Sequence, residues 1–282
     1  MKDNSRQQKP ARRFGNLRAG ETITSRANPR VKQMRALRQR KARDADGLYL
    51  VEGIRHVGEA VEAHAPIECI CYAPDRLTSD FARDLIRQQS ARGVPCYEST
   101  ADIFDSLSEK ENPQGILAVV RQQRTALADL SPQNFAWGVA LVAPQDAGNV
   151  GSILRTIDAV GASGLLLIDS SVDPYHPSSV RASMGAIFWY PIVTASFAEF
   201  VRWAKPHAYR IVGTSARGKV DYREADYARP LIVLMGSERE GLSQEQVSTC
   251  DQLVRIPMRG RVSSLNLSVA TGIMLHEVKR TE

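Results

Sequence analysis

Three strand-length apolar runs in the second half of the chain each end in a loop of glycine and polar side chains. WGVALV at 137–142 leads into DAGNVGSILRT at 146–156. LIVLMG at 231–236 leads into SEREGL at 237–242. LVRIP at 253–257 leads into MRGRVSSLN at 258–266. Polar loops delivered beyond the strand ends of one sheet are how an open α/β domain builds a pocket. This pattern restricts the second half to a layered α/β fold and places its candidate site on three loops.

The rest of the chain divides around that region. Residues 1–20 are rich in Lys, Arg, Gln, Asn and Ser with almost no apolar residues, and are expected to be a disordered basic tail. Residues 21–124 alternate strand and helix patterns and predict a smaller α/β domain. In it, Asn28-Pro29 opens a helix expected to run to about Arg43, with Val31, Met34 and Leu37 on one face. Strands are expected at 47–53, 67–73, 94–98 and 115–120, and helices at 54–63 and 79–92. Residues 125–136 read as a linker, and 137–282 as the second α/β domain. There a helix from about Val150 to Val160 presents Val150, Ile153, Leu154, Ile157 and Val160 on one stripe. Further strands are expected at 165–169 and 209–215, and a last helix at about 266–279.

Composition narrows the function classes. A hydrophobic content of 43% supplies a core. No apolar run approaches the ~18 residues of a membrane helix, and the polar, basic N-terminus has no leader pattern. The expectation is a soluble, cytoplasmic protein with no membrane partner. The four cysteines, Cys69, Cys71, Cys96 and Cys250, form no C-x-x-C pair and have no histidine at ligand spacing. A zinc site is not expected, and no metal is assigned. The net charge of +6 is unevenly spread: residues 1–44 hold fourteen Lys and Arg against three acids, leaving the remainder slightly acidic. A basic head on a mildly acidic body points to a polyanion partner such as nucleic acid.

Taken singly, the motif residues have ordinary readings. Asn149, between Gly148 and Gly151, suits a helix N-cap. Arg155 suits a solvated helix face. Gly236-Ser237 after an apolar strand occurs in many nucleotide-binding α/β proteins. Ser264 suits the N-cap of the last helix. Phe188, Trp189 and Tyr190 suit core or dimer packing.

Taken together they carry more. Asn149 and Arg155 fit N-x-G-x-x-x-R; Gly236, Glu238, Gly241 and Leu242 fit G-x-E-x-x-G-L; and 256–270 reads I-P-M-x-G-x-V-x-S-L-N-x-S-V-A. These strings, with HPSSVRASMGAIFWYPI at 176–192, resemble the SpoU (TrmH-like) branch of the SPOUT RNA methyltransferases. SRANPRVKQMRAL, LYLVEGIRHVGEAV and NPQGILAVV in the first domain resemble the substrate-binding domain attached to many such enzymes, itself similar to a ribosomal-protein family that binds kinked RNA. The resemblance covers about residues 21–282. It departs at Ala147, where the family usually has proline, so the turn loses rigidity but no reactive group.

The resemblance implies an α/β domain with a C-terminal trefoil knot, a feature nearly absent from proteins in general, plus the smaller N-terminal α/β RNA-binding domain. It implies transfer of a methyl group from S-adenosylmethionine to an RNA ribose 2′-hydroxyl, with ribosomal RNA favoured over tRNA, in a homodimer whose site is completed across the interface. Arg155, Asn149, Glu238, Ser264 and Asn266 fall on the family's polar active-site positions. Gly236, Ser237, Ile256, Met258 and Leu265 fall on its cofactor loops. Arg26, Asn28, Arg30, Lys32 and Arg181 are the RNA contacts expected on the same ground. Methyl transfer from a sulfonium releases a neutral thioether, so the chemistry requires alignment and proton removal rather than an oxyanion hole. Arg155 is expected to activate the hydroxyl. Its free pKa lies above ~12, so either its neighbours depress it or it grips a phosphate while another group takes the proton. The alternatives are a tRNA 2′-O-methyltransferase, an RNA-binding or assembly protein with an inert pocket, and a dinucleotide-dependent oxidoreductase. The last is disfavoured because GNVG lacks the third glycine of G-x-G-x-x-G.

Overall fold

The structure, a computed structural model, describes residues 22–281. The expected disordered tail at 1–20 lies outside the described residues. The chain forms two compact units that divide after Gln122.

The first unit contains α1 (Pro29–Ala36), α2 (Arg40–Asp46), β1 (Leu48–Glu52), α3 (Ile54–Glu62), β2 (Ile67–Tyr72), α4 (Asp80–Ala91), β3 (Cys96–Glu98), α5 (Ala101–Leu107) and β4 (Ile116–Arg121). Its four-stranded sheet has the order β1-β4-β2-β3. β4 runs antiparallel to both neighbours, and β2 parallel to β3. One face packs Val31, Met34, Leu37, Phe104 and Leu107 against Cys69, Cys71, Leu117 and Val119. Burial pushes the Cys71 thiol up to about 12.

The single helix expected through Arg43 is two helices. Leu37 is fully buried, and Gln39 is extended at φ −91, ψ 133. The buried Arg43 guanidinium donates to the carbonyls of Leu37 at 2.8 Å and Arg38 at 2.7 Å. Those carbonyls face a side chain rather than a continuing helix, so the backbone breaks there.

The second unit contains β5 (Trp137–Val142), α6 (Ala147–Val160), β6 (Leu165–Ile168), α7 (Pro177–Ala182), β7 (Ile192–Ala195), α8 (Phe197–Ala204), β8 (Arg210–Thr214), β9 (Val220–Asp221), β10 (Leu231–Met235), α9 (Gln244–Thr249), β11 (Gln252–Arg255) and α10 (Leu267–Arg280). Its sheet has seven strands in the order β7-β6-β5-β10-β8-β11-β9, all parallel. β5 and β10, at the centre, are buried throughout, as expected of strands covered on both faces.

Residues 125–136, expected as a linker, pack into this unit. Leu130 and Phe135 are buried with Phe200, Trp203 and Tyr209. The Trp203 indole donates to the Leu130 carbonyl at 2.9 Å, and the Tyr209 hydroxyl to the Phe135 carbonyl at 2.6 Å. The segment lacks a periodic apolar pattern but is anchored on this core by Leu130 and Phe135, with Leu127 packed beside them.

The strand order positions the site. β10 is inserted between β5 and β8, so loops distant in sequence leave the sheet side by side. Because every strand is parallel, those loops lie at one end of the sheet, where open α/β domains bind ligands.

Candidate functional site

Each site loop is set by local chemistry before the loops meet. α6 starts at Ala147 rather than near Val150, and its N-cap is Asp146, whose carboxylate accepts from the Asn149 N–H at 2.9 Å. Asn149 is therefore not a cap; it occupies the first turn with its amide side chain available. After β10 the chain folds back on itself, with Ser237 and Gly241 exchanging main-chain bonds at 3.1 and 3.0 Å. A β-carbon added at Gly236 would stand 2.4 Å from the carbonyl carbon of Gly241. Only glycine permits that approach. α10 is capped by Asn266, not Ser264: its carbonyl oxygen accepts from the N–H of Ser268 at 2.8 Å and of Val269 at 3.4 Å.

The three loops then join through side chains. The Asn266 amide donates to the Asn149 carbonyl oxygen at 3.0 Å, across 117 residues of sequence. The Asn149 amide donates to Glu238 Oε1 at 3.3 Å, across 89. Glu238 Oε2 accepts from the main-chain N–H of Gln145 at 3.2 Å. The result is a relay, Asn266 to Asn149 to Glu238, anchored at one end on the cap of α10 and at the other on the backbone before α6. Each amide has its orientation dictated by what it must donate and accept. The relay can hold a fixed carboxylate and two fixed amides facing whatever lies at this end of the sheet.

Gln145 is a site residue that sequence reasoning missed. Its contribution is a main-chain N–H, which leaves no side-chain signal. Asp146 could have been found, since an Asp three residues before Asn149 is a capping spacing.

Arg155 and Ser264 are not part of the relay. Six residues beyond Asn149 on α6, Arg155 is displaced by about 9 Å along the axis and points to a different face. It is exposed and makes no hydrogen bond or ion pair among the described residues. Ser264 is also exposed. Of the residues expected on cofactor loops, Gly236 and Ser237 form the turn after β10. Ile256 and Leu265 are half-buried, and Met258 is 36% exposed, at the two ends of the loop after β11. No main-chain N–H from Met258 to Leu265 bonds another described residue. A glycine cradle, apolar side chains partly open to solvent and free main-chain donors fit a nucleoside with a neutral heterocycle and a ribose.

The residues expected to touch RNA are spread over both units. In the first, Asn28 caps α1 by accepting from the Arg30 N–H at 2.9 Å, and the Arg30 guanidinium lies 4.7 Å from the centre of the Tyr97 ring. Arg26 and Lys32 are exposed. In the second, Arg181 lies on α7 and donates to the Ser178 hydroxyl at 3.5 Å. Among the described residues no group of three or more His, Cys, Asp or Glu could hold a metal ion, and no helix is long and apolar enough to cross a membrane.

Comparison with known proteins places this geometry. The SpoU rRNA Methylase family matches residues 137–276, and an MRM3-like substrate binding domain matches residues 28–118. A Streptomyces viridochromogenes protein named 23S rRNA (uridine(2479)-2'-O)-methyltransferase is 35% identical over 270 residues, 93% of each chain. A Bacillus subtilis protein named 23S rRNA (guanosine(2553)-2'-O)-methyltransferase is 28% identical over 91% of this chain and 98% of its own. The crystal structure of an AdoMet-bound rRNA methyltransferase from Sinorhizobium meliloti superposes with a TM-score of 0.85 at 37% identity, covering 93% of this chain and 98% of that one. The match from 137 to 276 takes in every residue of the relay, and the chain belongs to the SpoU rRNA Methylase family.

Proposed function

We propose that this protein transfers the methyl group of S-adenosylmethionine to a ribose 2′-hydroxyl of ribosomal RNA. The observation that carries the reading is the relay of Asn266, Asn149 and Glu238, which unites three separate loops at the carboxyl end of a parallel sheet. The donor supplies an electrophilic methyl carbon on a sulfonium, whose departure as a thioether leaves no charge behind. Family membership and the AdoMet-bound relative support this donor. Ribosomal RNA is favoured because the relatives above carry that substrate in their names.

In this reading the turn at Gly236 and Ser237 and the loop residues Ile256, Met258 and Leu265 hold the donor. Main-chain donors and apolar side chains suit its adenine and ribose. Glu238, held by Asn149 and the Gln145 N–H, places a negative charge in reach of a sulfonium. Asn149 and Asn266 keep that carboxylate fixed, so no reorganisation is required at the moment of transfer. Arg155 and Ser264 act on the 2′-hydroxyl and its neighbouring phosphate. Arg26, Asn28, Arg30, Lys32 and Arg181 contribute to RNA binding.

Arg155 stands apart from the relay within one chain, which favours a homodimer in which a second copy completes the site. Exposed Trp189 (52%), Val262 (64%) and Val269 (50%) on the same unit offer apolar surface for that contact. The trefoil knot, the cytoplasmic location and the division of the chain into tail, RNA-binding domain and methyltransferase domain belong to the same proposal. The test is incubation of the pure protein with methyl-labelled donor and total RNA, followed by mapping of the labelled ribose. Label in ribosomal RNA sustains the reading, label in tRNA replaces its substrate, and no label in either overturns it.

A further inference from the structure

The loops at the carboxyl end of the second sheet differ in charge according to strand order. Past β6 and β5 stand Asp169 and Asp146. Past β10, Glu238 and Glu240 flank Arg239. Past β8 and β11 come Arg217, Lys219, Arg259 and Arg261, with no acid in residues 215–219 or 256–266. At the end of β9, Asp221 and Arg223 bind each other through bonds of 2.9 and 2.8 Å, with Glu224 beyond. β8 and β11 are neighbours. An excess of positive over negative charge is therefore found at two adjacent strand ends, with carboxylates on both flanks.

The turn after β8 is fastened in place. The Ser215 N–H donates to the Val254 carbonyl at 2.9 Å, and the Gly218 N–H to the Ser215 carbonyl at 3.0 Å. Arg255 reaches back to the carbonyls of Gly218 at 3.1 Å and Lys219 at 3.3 Å. A β-carbon on Gly218 would stand 2.5 Å from the carbonyl carbon of Val254, so the turn lies directly on β11. Arg217 sits at its tip, beside the start of the loop that carries Ile256.

The side chains of Arg217, Lys219, Arg259 and Arg261 make no hydrogen bond or ion pair among the described residues. Several other arginines on this unit are paired, as Arg210 is with Asp226 at 2.9 Å and Arg280 with Glu277 at 2.5 Å. Four neighbouring cations without counter-charges repel one another and add nothing to folding. A ligand with several negative charges reverses that sign.

We propose that the loops after β8 and β11 form a track for the phosphate backbone of a single RNA strand. Arg217, Lys219, Arg259 and Arg261 contact its phosphates and lead a ribose to the relay. Adjacent strands lie about 5 Å apart, so the basic band is narrow, and the flanking carboxylates repel a second backbone. A single strand also exposes a 2′-hydroxyl that pairing and stacking would hold away. The proposal rests on the RNA reading above and adds the path the substrate takes.

The experiment compares the full-length protein with the variant Arg217→Ala, Arg259→Ala, Arg261→Ala. Affinity for a single-stranded homopolymeric RNA and for an RNA duplex of equal length is measured over a range of salt. S-adenosylmethionine binding is followed by calorimetry, and methyl transfer to total RNA in parallel. Each lost phosphate contact lowers the slope of log K against log salt by about 0.7 on a single strand, so the triple variant should lose about 2. An unchanged slope with retained donor binding overturns the track. If the triple variant fails to fold or to bind the donor, Arg217→Ala alone decides, because its turn carries none of the donor-binding segments. A slope loss of about 0.7 sustains the track and none refutes it. Slope losses as large on the duplex refute the single-strand assignment. A wild-type protein that shows these slopes yet methylates no RNA refutes the reaction proposed above and leaves the track standing.

Discussion

Asn266 does two jobs that substitution can separate. Its side-chain oxygen caps α10, and its amide nitrogen begins the relay by donating to Asn149 at 3.0 Å. Replacing it with alanine removes both. Loss of an N-cap costs about 1 kcal/mol, and loss of a partly exposed amide hydrogen bond about 0.5–1.5 kcal/mol. The sum is about 2 kcal/mol. For a cooperative unit of about 160 residues, at about 2.1 cal/mol/K per residue, this lowers Tm by roughly 6 °C. Serine at the same position still accepts from the Ser268 N–H, so Asn266→Ser should return most of the stability. It has no amide to offer Asn149, whose orientation, and with it that of Glu238, is then no longer dictated. Scanning calorimetry and methyl transfer on both variants check this. The expected result is Asn266→Ala cooler by several degrees and inactive, with Asn266→Ser close to wild type in Tm but at least tenfold slower. If Asn266→Ala melts within a degree of wild type, the cap has been misjudged. Full turnover by Asn266→Ser would show that the relay is ornamental.

Three further outcomes follow from the same geometry. Gly236→Ala forces a β-carbon against the backbone of Gly241; donor affinity measured by calorimetry should fall at least tenfold while the circular dichroism spectrum is kept, and unchanged affinity would remove the turn from the donor site. Arg155→Ala should abolish methyl transfer and leave donor affinity near wild type, since no bond ties Arg155 to the relay in one chain; substantial residual turnover would end its assigned role. Deletion of residues 1–20 should reduce RNA affinity most at low salt, because cations there are expected to grip phosphates; an unaltered salt slope would show that this segment takes no part.

Much of the fold was legible because the chemistry that sets it is local. The strands at 137–142 and 231–235 show as apolar runs, β11 is marked by Leu253 and Val254, and α6 shows as a stripe of Val150, Ile153, Leu154, Ile157 and Val160. Short elements escaped. α5, α7 and α9 have seven, six and six residues, too few to display a period. The break at residues 37–39 escaped because its cause, the Arg43 guanidinium, acts from another turn of chain.

The site divides along the same line. By itself the amino-acid order determined which loops carry chemistry, because glycine, asparagine, serine and glutamate past a buried strand are visible in a few consecutive residues. It also supplied the strings that resemble the SpoU enzymes. Tertiary structure alone decided that Asn149 bonds Glu238 and Asn266 and that Arg155 stands apart from them. It also decided that Arg217 and Lys219 border the loop of Arg259 and Arg261. The physical reason is strand order: inserting β10 between β5 and β8, and setting β11 beside β8, brings together residues that no local rule of spacing connects.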